Sequence, residues 1–186
     1  MGGLILLGVL ALIIFWLIAL YNGLVTLRQR SKQAYADITV QLKQRHDLIP
    51  NLVETVKGYA GHEKGTLEAV IKARNAALSA ANPTDQGAAE GSLSSALSRL
   101  FALSEAYPDL KANQNFQQLQ AELSDVENKI SAARRFLNNT VAEYNASCEG
   151  FPGVLIAKRF GFTALDYFNL DADEQKLIEA PPKVQF

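Results

Sequence analysis

From Leu4 to Leu20 every position is apolar except Gly8, and the first charged side chain is Arg28. At a rise of about 1.5 Å per residue, Gly3 to Tyr21 makes a helix of roughly 28 Å, enough to cross a hydrocarbon layer about 30 Å thick. A buried core helix rarely runs this long without a polar face. A cleaved signal peptide would want a basic region before the apolar run and a small-residue cleavage site after it, and neither is found. The pattern therefore predicts a transmembrane helix. The opening "MGGLIL" has Leu6 where a myristoylation signal wants Ser or Thr, so lipidation is not expected. Trp16 and Tyr21 suit the membrane interface, and Arg28, Arg30 and Lys32 follow them. By the positive-inside rule the amino terminus lies outside and the rest of the chain is cytoplasmic.

Beyond this segment the apolar positions fall at helical spacing: Leu24, Leu27, Ala34, Ile38, Leu42, Ile49, Leu52, Val56 and Tyr59. The membrane helix is expected to run on into this one. Gly58 and Gly61 weaken it, and a second helical segment, Glu63 to Ala81, carries Leu67, Val70, Ile71, Ala77 and Leu78. "ANPTDQG" at 81–87 reads as a turn. A third segment, Ala88 to Ala106, puts Leu93, Leu97, Leu100 and Leu103 on one face before "YPD" at 107–109 ends it. In the fourth, Phe116, Leu119, Leu123, Val126, Ile130, Ala133, Leu137, Thr140 and Tyr144 follow a heptad seam. The expected architecture is all-α. A transmembrane helix (1–23) continues into an up-and-down antiparallel four-helix bundle (24–150), and an aromatic-rich tail (151–186) follows.

The helices are unequal: the first and fourth run about 38 residues past the membrane, the second and third about 19. The short pair covers only the distal half of the long pair. Nearer the membrane, 24–42 would face 129–147 as a two-helix stem that exposes Tyr35, Ile38, Phe136 and Leu137 unless something packs there. Two covers are available, the tail from Phe151 to Phe168 or a second copy of the chain. The tail includes Phe151, Phe160 and Phe162 and carries Lys158 and Arg159, so it suits either a strap on the stem or the membrane interface. The final "APPKVQF" is expected to be extended, because its paired prolines forbid helix.

A net charge of -1 and a pI near 6.1 give no concentrated basic face for nucleic acid. The single cysteine, Cys148, excludes an internal disulfide and suits a buried position. Arg45 interrupts the apolar stripe of the first long helix; antiparallel pairing puts it near the level of Asp125, with Glu122 a turn away. A buried arginine needs a carboxylate partner, and its usual role is to fix register. His46 and Asp47 beside it admit a metal reading, but His62, the only other histidine, lies about 24 Å up the same helix. "HEKGT" at 62–66 fails as a zinc-protease motif at Thr66. Asp47 is expected instead to cap backbone donors freed near Pro50, making this stretch a kinked or recapped joint with Arg45, Asp47, Pro50 and Asp125 as a structural polar core. Arg134, Arg135, Asn138 and Asn139 form a polar cluster facing the stem. No acid–base pair, nucleophile or phosphate loop accompanies them, so neither catalysis nor a cofactor is expected.

Long segments of the chain, "YNGLVTLRQR", "DITVQLKQRHDLIPNLVETVKGYAGHE", "YPDLKANQNFQQLQAELSDVENKI" and "FPGVLIAKRFGF", closely resemble the LemA family of small bacterial membrane proteins. The resemblance implies one amino-terminal membrane helix and a helical-bundle domain. One branch of that family is associated with organising a bacterial organelle membrane. It supplies no catalytic residues to carry over. The chain departs from the family pattern at Thr39, where Asp is expected, and at Leu137, where Tyr is expected.

The expected role is a non-enzymatic scaffold at the bacterial inner membrane that self-associates or recruits partners. The alternative is an adaptor or regulator of another membrane enzyme. The candidate surface is Tyr35, Ile38, Arg134, Arg135, Phe136, Leu137, Asn138, Phe151, Phe160 and Phe162. The partners expected are membrane lipid, a second copy of the chain or a membrane protein.

Overall fold

Helix α1 (Gly2–Lys57) carries the apolar segment and runs without a break through Pro50. A computed structural model describes residues 1–169; the expectation for "APPKVQF" lies outside the described residues. The other elements are α2 (Lys64–Ser79), α3 (Pro83–Ser104), the single turn α4 (Pro108–Lys111), α5 (Gln114–Glu149) and α6 (Gly153–Phe160). All regular structure among the described residues is helical.

Local chemistry sets several of these boundaries. Asn82 caps α3, its Oδ1 accepting from the Asp85 N–H at 2.8 Å with Pro83 in the first turn, so most of the expected turn at 81–87 is the start of a helix. Asn113 does the same for α5, accepting from the Phe116 N–H at 3.0 Å, while its amide donates to the Tyr59 hydroxyl at 2.9 Å. "YPD" folds into α4, with Pro108 supplying the fixed φ of a first helical residue.

The described residues fall into two compact units, Met1–Ile38 with Ala133–Asp166, and Thr39–Ala132 with 167–169. In the second unit α1, α2, α3 and α5 bury Ile49, Leu52, Val56, Val70, Leu93, Leu100 and Phe116, with the Phe101 and Phe116 rings edge to face. Each of these residues lies on the apolar stripe of its own helix. Phe168 is also buried in this unit, and the backbone at Asn169 passes so close to α3 that a Cβ on Gly87 would meet its carbonyl oxygen at 1.9 Å.

Pro50 lacks the N–H that would bond the carbonyl of His46 one turn earlier. That carbonyl instead accepts from Arg74 Nε of α2 at 2.8 Å. The helix therefore needs no recapping at this point. Asp47, expected to act as the cap, is exposed and paired with Lys43 one turn back, which holds its carboxyl below the usual carboxylate range. The physical reason is that a proline orphans an acceptor at this place, and an aspartate can only accept. Arg74→Leu is expected to lower stability by about 1–3 kcal/mol, the cost of a buried unpaired carbonyl. In a denaturant series Pro50→Ala, which returns the N–H, should recover most of that loss in the double variant. Equal losses with and without Pro50 would disprove the pairing.

In the first unit α1 and α5 are joined by Ser31, whose hydroxyl lies 3.1 Å from the Thr140 carbonyl. Ile38, two turns from Ser31, and Leu137, one turn from Thr140, are buried at 0% and 3% exposure, so neither belongs to an open surface. This corrects their place in the candidate surface: they share the stripes that the long helices already turn inward.

Candidate functional site

The cover anticipated for the stem comes from the chain itself. After α5 the backbone turns at Gly150, passes a cis bond between Phe151 and Pro152, and enters α6. Gly153 sits so close to α5 that a Cβ would lie 2.1 Å from the Ser147 carbonyl oxygen, which ties the start of α6 to that helix. Ile156, Ala157 and Phe162 then pack with Leu24, Tyr144 and Cys148 in one apolar cluster. The Tyr144 hydroxyl donates to the Thr163 carbonyl at 3.0 Å, and Asn145 holds Leu165 through both its carbonyl (2.9 Å) and its N–H (2.8 Å). Burial, aided by the neighbouring Cys148 thiol, pushes the Tyr144 phenol up to about 12, so it remains a hydrogen-bond donor across the ordinary pH range. Tyr21 receives Phe160 and Phe162 edge to face, with centroids at 5.0 and 5.5 Å, and the Arg28 guanidinium lies over the Phe162 ring at 4.9 Å.

The aromatic residues of this segment divide by role. Phe162 faces inward, whereas Phe151 and Phe160, with Leu155 between them, are exposed at 82%, 59% and 62%. On α5 Phe136 is exposed beside the exposed Arg135. Tyr35, Arg134 and Asn138 are half-buried and make contacts of their own. Two mainly apolar hollows adjoin this segment. One, of about 650 Å³, opens between Leu20, Gly23 and Leu24 and the turn at Phe151. The other, of about 340 Å³, lies between Ile14, Leu17, Ile18 and Tyr21 of α1 and Ile156 and Phe160 of α6.

The second unit holds a buried polar cluster. Arg45, His46 and Glu90 are each at most 3% exposed. Glu90 of α3 accepts from His46 Nε2 at 2.7 Å, and its other oxygen lies 3.4 Å from Arg45. Arg45 also donates to Ser94 Oγ at 2.7 Å and pairs with Glu127 at 3.2 Å. The expected partner Asp125 is exposed and paired with Lys129 instead. Asp125 and Glu127 are two residues apart, about 200° around the helix, so a level estimate alone picks the wrong face. Glu90 was legible in principle: it stands three residues before Leu93, on the stripe that continues through Leu97 and Leu100. A cleft of about 370 Å³ lined by Arg45, Ser94, Ser98, Gln120, Ser124 and Glu127 opens beside the cluster. Its cation is already answered by two carboxylates and a hydroxyl, which makes it a brace between α1, α3 and α5.

An apolar helix able to cross a membrane, continuous with an all-helical body and strapped by its own carboxy-terminal segment, defines a membrane-associated helical protein. The family model for the LemA family matches residues 34–186, and the chain belongs to that family. It is 24% identical over 190 residues to the magnetosome protein MamQ of Magnetospirillum gryphiswaldense, an alignment covering 87% of this chain and 70% of that protein. It is 22% identical over 174 residues to the magnetosome proteins MamQ 1 and MamQ 2 of Paramagnetospirillum magneticum, covering 80% of this chain. The chain spans 64% of the length of these last two relatives.

Proposed function

We propose that the protein is a non-enzymatic, membrane-anchored scaffold of the bacterial inner membrane that self-associates through its helical body. In this reading α1 spans the bilayer with its amino terminus outside. In the body, α1, α2, α3 and α5 run up and down as an antiparallel four-helix bundle. The observation that carries the reading is the apolar segment of α1, long enough to cross a membrane, on the same helix that runs on to Lys57. Its basic residues Arg28, Arg30 and Lys32 support a cytoplasmic body. The naming of relatives as magnetosome proteins supports a place at a membrane.

Phe136, exposed at 57% next to Arg135, is the contact assigned to the second copy. The test is the mass of the complex extracted gently from its native membrane. An oligomer that Phe136→Glu dissociates, with helicity unchanged, supports the scaffold. A monomer held by one stoichiometric co-purifying protein supports the adaptor reading, and a bare monomer overturns both.

A further inference from the structure

We propose that α6 is an interfacial helix seated on an anionic lipid surface, its outer face carrying Leu155, Lys158 and Arg159, and the turn before it Phe151, into the headgroup layer beside the exit of α1. The inference rests on the reading that α1 spans the bilayer. Ile156 and Phe160 share a hollow with Ile14, Leu17, Ile18 and Tyr21, and the Phe160 ring lies 5.0 Å from that of Tyr21. With Leu20 at the edge of the hydrocarbon, Ile14 lies about 9 Å inside it, so α6 is pinned at the depth where acyl chains meet headgroups. The apolar surface of α1 is itself exposed here, Leu17 at 39% and Ile18 at 52%, and it is continuous with that of α6.

The two faces of α6 differ. Gly153, Ile156 and Ala157 turn inward. At about 100° per residue, Leu155, Lys158 and Arg159 fall on the opposite side, and all three are exposed. An exposed leucine between two cations, with the exposed Phe151 just before the helix, gives water no compensation for its apolar groups. At a bilayer surface the apolar groups enter the acyl boundary while long basic side chains reach the phosphates. Arg30 and Lys32, exposed on α1 just past the span, add positive charge at the same end of the anchor. This charge favours phosphate-rich anionic lipid over a protein groove as the occupant.

The test uses the full chain in nanodiscs of phosphatidylcholine, alone or mixed with phosphatidylglycerol, with lipids brominated on the acyl chains as quenchers of tryptophan fluorescence. Trp16, the only tryptophan of the chain, reports the span. The Leu155→Trp substitution in a Trp16→Phe background reports α6, and Tyr59→Trp in the same background is a control on the body. Quenching is expected at 16 and 155 and not at 59. It should be stronger at 155 in the mixed discs, and Lys158→Glu with Arg159→Glu should lower the seated population by about fivefold per charge. Quenching at 16 without quenching at 155 overturns the proposal and leaves the anchor standing. No quenching at 16 overturns the spanning reading itself. Quenching at 155 that ignores both the anionic lipid and the charge reversal overturns the anionic surface.

Discussion

Glu90→Ala is expected to destabilise the protein by about 3–5 kcal/mol, the usual result of removing one partner from a buried ion pair. Glu90 is 1% exposed and is the acceptor shared by His46 and Arg45. Without it, His46 Nε2 has no acceptor in the core, and Arg45 keeps only Glu127, half in solvent, and the Ser94 hydroxyl. Thermal or denaturant unfolding of the purified chain reads the loss directly. The informative companion is the combined replacement Arg45→Met, His46→Leu and Glu90→Leu, which removes the buried polar groups together, leaves only the half-exposed Glu127 and should cost far less than Glu90→Ala alone. If the single variant unfolds within about 1 kcal/mol of the parent, the cluster is not the brace described here.

Gly87→Ala should cost about 2–3 kcal/mol through a different route. The added carbon would sit 1.9 Å from the carbonyl oxygen of Asn169 and 2.7 Å from its carbon, both backbone atoms that cannot swing aside. Residues 167–169 must lift from α3, and Phe168, 1% exposed, comes out with them; returning a phenylalanine side chain to water accounts for the loss. Faster chymotrypsin cleavage at Phe168 checks the mechanism, and a lower unfolding midpoint checks the magnitude. Gly65→Ala in α2 meets no atom within 4 Å and should be neutral or slightly stabilising, so the pair separates steric displacement from helix propensity. Equal behaviour of the two variants would refute the account.

The long helices were legible because their stripes repeat over many turns: Leu42, Ile49, Leu52 and Val56 of α1, and Phe116, Leu123, Val126 and Ile130 of α5, are all buried. Ile38 and Leu137 obey the same periodicity; the two-helix stem was expected to leave them open to a cover, and they are buried. Helix α6 was harder to read. Eight residues give barely two turns of pattern, and two of its five apolar side chains, Leu155 and Phe160, are exposed, so periodicity cannot separate it from an irregular strap. The partner of Arg45 needed three-dimensional placement, since α1, α3 and α5 converge there from distant parts of the chain. Arg74 as the partner of the His46 carbonyl had no local signal beyond Pro50 itself, which announces an orphaned acceptor without naming its donor.

That last arrangement bears on how the molecule is made. During synthesis the amino-terminal part of α1 leaves the ribosome first, while the donor for His46 is encoded 28 residues downstream. Until that arginine emerges and docks, the His46 carbonyl has no protein donor, and the turn at Pro50 is one hydrogen bond short. Docking of α2 then supplies the missing donor, so this turn of α1 is completed by a helix that is made after it.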